Sequence, residues 1–161
     1  MPSFDVVSKV SWAEIDNALN QASKELGQRF DFQGTGAKVA KTDDGLLLTA
    51  STDDRVRAAW KVVEDKLVKR KVSLKHVEPG DVAPGPNASA KMLVKVKEGI
   101  EVDKAREIVK HLKESKLRVQ GAILEQQVRV TGKNKDDLQG AIRLLRAADF
   151  GLELQIMNFR D

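Results

Sequence analysis

The chain contains no cysteine and no tyrosine. The first absence removes disulfide frameworks, thiol nucleophiles and thiolate metal sites together, and it fits a reducing, cytoplasmic compartment. The second leaves seven aromatic side chains: Phe4, Trp12, Phe30, Phe32, Trp60, Phe150 and Phe159. A protein that stacks bases on aromatic platforms usually carries more. No apolar run approaches the 18 or so residues of a membrane span, so no membrane association is expected. Residues 1–5 enter directly into a strand-like pattern without a basic n-region or an apolar h-region, so no secretory signal is expected either. Proline is scarce, and three of the four lie within residues 78–89.

What is present reads as folded protein. Of 161 residues, 41% are hydrophobic and 32% charged, outside the low-hydrophobicity composition of disordered chains. The length allows one ordinary domain or two small ones, and two units of about 75 residues would each be marginal alone. The net charge of +4 is uneven: residues 1–85 carry 13 basic and 13 acidic side chains, and residues 86–161 carry 15 and 11. This surplus suits a small anionic ligand or weak nucleic-acid contact rather than the coating of DNA.

Four segments repeat an apolar stripe at spacing 0, 3, 4, 7, the signature of an amphipathic helix. They are Ile15-Ala18-Leu19-Ala22, Val56-Ala59-Trp60-Val63, Ala105-Ile108-Val109-Leu112 and Leu138-Ala141-Ile142-Leu145. Ser11 with Glu14 reads as a capping box. Residues 51–53 and Asn134 offer caps for the second and fourth. Alternating runs between the helices predict strand 3–9, helix 12–28, strands 36–42 and 45–51, helix 53–70 and strand 73–78. The order then repeats as strand 91–97, helix 102–115, strands 117–124 and 127–132, helix 134–148 and strand 152–158. Each half is βαββαβ, predicting an α+β fold of two ferredoxin-like domains, each an antiparallel four-stranded sheet with two helices on one face. Laying the halves on one another pairs Phe4 with Met92 (offset 88), Ile15 with Ala105 (offset 90) and Thr49 with Thr131 (offset 82). The first half therefore holds eight extra residues, which include Arg29-Phe30-Asp31-Phe32-Gln33-Gly34, and loops beyond what a scaffold needs are candidate sites. Residues 78–89 have the composition of a linker.

With both helices on one face, the other face of each sheet is open. Alternation directs Val128, Val130, Leu117, Val119 and Ile123 toward the helices, leaving Arg118, Gln120, Gln127, Arg129 and Thr131 outside. It likewise places Lys91, Lys95, Lys97, Ser3 and Asp5 outside. Guanidinium groups on such a face suit phosphate oxygens. The run Lys110, Lys113, Lys116, Arg118 and the pair Arg129, Lys133 converge through the hairpin that joins their strands, which is the strongest ligand-site signal. Other motifs point to ordinary structure. His76 and His111 have no neighbours at metal-ligand spacing and read as surface or boundary residues. Gly34-Thr35-Gly36-Ala37-Lys38 lacks Walker spacing and reads as a turn. The pairs Asp43-Asp44, Asp53-Asp54 and Asp136-Asp137 suit a hairpin and two helix starts. No nucleophile–base pair is visible, so an enzyme is the least supported class, and no cofactor is implied.

Several segments in order then resemble the YajQ family of bacterial proteins. They are Pro2-Ser3-Phe4-Asp5, Arg29-Phe30-Asp31-Phe32-Gln33-Gly34, Lys66-Leu67-Val68-Lys69-Arg70, Ser115-Lys116-Leu117-Arg118-Val119-Gln120, Val128-Arg129-Val130-Thr131-Gly132-Lys133, Asp136-Asp137-Leu138-Gln139 and Asn158-Phe159-Arg160. The sequence departs from the family pattern at Gln33, where lysine is common, at Leu124-Glu125-Gln126, where Gln-Gly-Asp is typical, and at Lys135, where arginine is frequent. The resemblance implies that the two domains exchange their N-terminal strands: 12–98 completed by strand 91–97, and 1–11 with 99–161 completed by strand 3–9. Asp5 would then join Arg118 and Arg129, and Lys95 and Lys97 would join Lys38 and Thr49. It also implies a non-enzymatic nucleotide-binding protein, with a purine nucleotide or cyclic dinucleotide such as cyclic di-GMP as ligand and a transcription regulator as partner. RNA or tRNA association is the alternative. The expected nucleotide-binding residues are Arg29, Phe30, Asp31, Phe32, Lys116, Arg118, Gln120, Arg129, Thr131 and Lys133.

Overall fold

The computed structural model describes residues 1–43 and 45–161; Asp44, one half of the Asp43-Asp44 pair, lies outside them. The elements run β1 (Ser3–Val7), α1 (Trp12–Gln28), β2 (Lys38–Lys41), β3 (Gly45–Ala50), α2 (Asp53–Lys69), β4 (Val77–Pro84), β5 (Ala90–Val96), α3 (Val102–Glu114), β6 (Val119–Leu124), β7 (Gln127–Gly132), α4 (Lys135–Ala147) and β8 (Gln155–Arg160). They form two compact units: a central unit of residues 10–97, and a terminal unit made of 1–9 and 98–161. Each has a four-stranded antiparallel sheet, in the order β2-β3-β5-β4 and β6-β7-β1-β8 respectively. Together they are the expected mixed α+β architecture of two ferredoxin-like sheets with four helices.

Local chemistry explains the helices. The Ser11 hydroxyl accepts from the backbone N–H of Glu14, Thr52 from Arg55 and Asn134 from Asp137, each cap contributing about 1 kcal/mol. Among the described residues the expected reciprocal arm of a capping box at Ser11 is not made; the Glu14 carboxylate instead meets Asn17 and Arg70. Every residue of the four stripes is buried except Val109, which packs partly buried against the terminal core. In the central unit the stripes meet Leu46, Leu48, Met92 and Val94; in the terminal unit they meet Phe4, Val6, Val128 and Val130.

Four strand expectations are corrected. The strand expected at 73–78 is a 3-10 turn at Leu74–His76 followed by β4, and β4 takes in most of the apparent linker. Pro79 and Pro84 are tolerated because β4 is an edge strand and its register slips between Pro79 and Val82, which leaves the missing N–H groups without a ladder partner to serve. The terminal strand begins at Gln155 and runs to Arg160 rather than ending at 158. Ile123, expected inside, is 41% exposed, because β6 is an edge strand and its hairpin end runs past the helices. Ser3 and Asp5 keep the outer face that alternation assigned them, opposite Thr131 and Arg129, but are buried there rather than exposed, Asp5 beneath Arg129 and Arg160. His76 is also buried, not superficial, with its Nδ1 3.2 Å from the carbonyl oxygen of Lys97.

The registers of the two sheets superpose row on row. Gln120, Thr131 and Ser3 lie across the terminal sheet where Lys38, Thr49 and Lys91 lie across the central one. In the next row, Ala122, Arg129 and Asp5 correspond to Ala40, Leu47 and Leu93. Thr49 thus stands between Lys38 and Lys91, while Lys95 lies opposite Gly45. The pairing also moves charge. With β5 in its sheet, the central unit carries 15 basic and 12 acidic side chains, net +3, and the terminal unit 13 and 12, net +1. The excess counted in the second half of the sequence is largely Lys91 and Lys95 of β5 with Lys97 just beyond it.

Candidate functional site

The terminal sheet brings one group of expected residues together. β6 and β7 form a hairpin closed by Glu125 and Gln126, with Gln126 in the left-handed region at φ 57°. Its register sets Gln120 against Thr131 and carries Arg118 and Lys133 out beyond the last pair, Val119 and Gly132. Lys116 precedes them, also left-handed at φ 65°. Among the described residues, Lys116, Arg118 and Lys133 make no ion pair. Arg129 sits one row further along the same face, opposite Asp5 of β1.

Asp5 organises this face. Its side chain is 1% exposed, yet it carries a full set of donors. Its Oδ1 accepts from Arg129 Nε at 2.9 Å, and its Oδ2 accepts from Arg160 Nη2 at 3.1 Å and from Asn158 Nδ2 at 3.0 Å. Burial alone would push the Asp5 carboxyl up; the hydrogen bonds from Arg129, Arg160 and Asn158 outweigh it and bring the pKa down to about 2. A carboxylate accepting several donors is held in its charged form. Because Arg129 spends Nε on Asp5, its two terminal nitrogens make no bond among the described residues, and its side chain is 38% exposed. One buried anion therefore holds two arginines in fixed positions and leaves the trio with one net positive charge.

Arg160 was missed as a site residue. Simple alternation along the last strand puts it on the helix face. The β1–β8 register shifts between Ser3 and Asp5, and Asn158 takes φ 59°, a bulge that inverts the alternation and turns Arg160 toward Asp5. An asparagine within a strand pattern was the available sign, since asparagine tolerates the left-handed region.

The inserted loop belongs to the central unit and has a different character. Arg29 caps α1 and is paired twice, with Asp31 at 2.7 Å and Glu25 at 3.2 Å. Asp31 foremost, then Glu25, holds the guanidinium further toward its charged form, and Arg29 in turn lowers the Asp31 carboxyl. Phe32 is buried in the core with Arg29 lying 5.0 Å over its ring. Phe30 is the contrast, at 85% exposed. Gly34 and Gly36, at φ 73° and 64°, make the expected turn rather than a phosphate loop. Beside it, Gln21, Lys24, Glu25, Gln28, Arg29 and Lys66 line an open cleft of about 360 Å³. Its charges are largely paired internally: Lys66 Nζ lies 2.9 Å from Glu25 and lowers that carboxyl. Among the described residues no cluster suited to a metal ion is found, and no helix is long and apolar enough to cross a membrane.

The family model described as "Nucleotide-binding protein YajQ-like" matches residues 2–160. The chain belongs to the YajQ-like family. Relatives match it end to end. A protein of Myxococcus xanthus is 50% identical over 165 residues, and one of Trichlorobacter lovleyi is 45% identical over 161, each covering 100% of both chains. A third, of Anaeromyxobacter dehalogenans, is 47% identical over 162 residues with the same coverage. All three are named nucleotide-binding proteins. In this YajQ-like chain the residues recognised by resemblance divide between the two units: Arg29–Phe32 in the central one, and Lys116, Arg118, Gln120, Arg129, Thr131 and Lys133 in the terminal one.

Proposed function

We infer that the protein binds a nucleotide on the open face of the terminal sheet and acts by binding rather than by catalysis. The observation that carries this reading is the Asp5–Arg129–Arg160 group, in which Arg129 is fixed through Nε with its terminal nitrogens unbonded among the described residues. A guanidinium fork of this kind suits phosphate oxygens. Thr131 and Gln120 beside it supply neutral donors and acceptors, and Arg118 and Lys133 supply further positive charge. The names of the relatives support the ligand class and point to binding rather than a reaction. A purine nucleotide or cyclic purine dinucleotide fits best, its phosphates at Arg129, Arg118 and Lys133 and a base stacked on a guanidinium plane. Occupancy of this face would then be passed to a transcription regulator. Arg29 and Phe32, one paired and one buried, are not assigned to the site.

Isothermal titration of the full chain with cyclic di-GMP, GTP and ATP tests the reading. Binding of one of them is expected, with Arg129→Ala weakening it by roughly 1–3 kcal/mol, about 5- to 150-fold. No heat from any of the three at high micromolar concentration overturns it, and an unchanged affinity removes Arg129 from the site. The unpaired cations Lys116, Arg118 and Lys133 at one end of the hairpin favour a second reading, weak RNA or tRNA contact. Polyelectrolyte binding falls steeply with salt, so a flat salt profile excludes it.

A further inference from the structure

The two sheets descend through the same register, yet the rows at their centres differ in chemistry. Where the terminal sheet sets Arg129 against Asp5, the central sheet sets Leu47 against Leu93. Leu93 is 57% exposed, one of nine large apolar side chains exposed among the described residues. Its row is flanked by Lys38 and Lys91 on one side and Lys95 on the other. Among the described residues none of these three lysines lies within ion-pair distance of a carboxylate, although Glu78 of β4 stands opposite Lys95 in the register. An apolar centre with a mainly cationic rim is the anatomy of an interaction surface.

The same elements say how a partner would approach. Pairing along an edge is blocked on one side by Pro79, Pro84 and the register slip of β4, and on the other by the four-residue strand β2 with its Lys38 and Lys41. These are the devices by which proteins discourage strand addition. The partner must therefore lie across the face. On the opposite face of this sheet, α1 and α2 do so with Leu, Ala and Val stripes. Charge complementarity sets the rest: a segment with acidic side chains meets the lysines while its apolar stripe covers Leu47 and Leu93.

We propose that the open face of the central sheet docks an acidic amphipathic helix of a partner protein, with Leu93 and Leu47 as its apolar anchor and Lys38, Lys91 and Lys95 as its charged rim. This surface belongs to the central sheet, whereas the nucleotide face belongs to the terminal one. The test is selection of random 16-residue peptides on the full chain, followed by affinity measurement for the enriched sequences. Enriched peptides are expected to be rich in Asp and Glu, with apolar residues at spacing i, i+3, i+4, i+7. Their affinity is expected to fall at least tenfold with Leu93→Glu and with Lys91→Glu/Lys95→Glu, and to be unchanged by Arg129→Ala. Leu93→Ser serves as a second variant, and the fluorescence of Trp12 and Trp60 reports whether the unit remains folded. Failure to enrich any peptide, enrichment of basic ones, or an affinity for both Leu93 variants equal to that for the original chain overturns the proposal. So does a single-stranded RNA that binds in place of peptides, losing affinity with the lysine variant but not with Leu93→Ser.

Discussion

Replacing Asp5 by asparagine probes the anion that organises the terminal sheet. Asparagine keeps the shape but removes the charge, and turns an amide donor toward guanidinium groups that need acceptors. Breaking a buried ion pair generally costs 3–5 kcal/mol. Here the cost is smaller, because Arg129 and Arg160 are 38% and 46% exposed and can be rehydrated. The pKa sets the scale. A carboxyl lowered from 3.8 to about 2, at 1.36 kcal/mol per unit, corresponds to about 2 kcal/mol of stability. The sign follows from the direction: a folded pKa below the unfolded value gives a contribution complete above about pH 4 and lost as the pH falls through about 2. Asp5→Asn is therefore expected to destabilise the terminal unit by about 2 kcal/mol at pH 6, and by much less at pH 2. Tryptophan fluorescence is blind to this change, since Trp12 and Trp60 both lie in the central unit. Native-state hydrogen exchange of the β1 and β7 amides is the suitable assay. A destabilisation of the same size at pH 6 and pH 2, or none at pH 6, would refute the account of Asp5 as a paired buried carboxylate.

Three further outcomes are expected. Phe32→Ala should cost about 3–5 kcal/mol by opening a cavity in the central core, whereas Phe30→Ser, on an 85% exposed side chain, should stay within about 0.5 kcal/mol; urea denaturation followed by tryptophan fluorescence separates the two. Gly45→Ala would drive a methyl group into the carbonyl oxygen of Val94 and should cost about 1–3 kcal/mol in the same assay. Thr52→Ala removes the acceptor for the Arg55 N–H and should cost about 1 kcal/mol, read as a lower denaturation midpoint.

The helices were legible because their signal is local: the 3.6-residue stripe and its cap lie in one stretch of chain. The hairpin β6–β7 was legible for the same reason, and with it the grouping of Arg118, Gln120, Thr131 and Lys133. What escaped depends on neighbours distant in sequence. Proline in β4 reads as linker until the strand is known to lie on an edge. Arg160 reads as a helix-face residue until a bulge against β1 reverses it. Asp5 reads as an exposed acid until two arginines, 124 and 155 positions away, close over it. Charge counted along the chain assigned the lysines of β5 to the wrong half, because a strand carries its charge to the sheet it joins.

That pairing also constrains the order of events on the ribosome. All five residues of β1 are buried, and its two sheet neighbours are β7 and β8. The central unit has all its strands once β5 is made. At about 5–20 residues per second, the roughly 120 residues between β1 and β7 take on the order of 6–24 s to synthesise. For that interval Phe4, Val6 and Val7 are held in a nascent chain with no sheet to enter, while the unit that follows them closes. The terminal unit cannot fold vectorially. Of all the strands, its first waits longest during synthesis for the neighbours it pairs with.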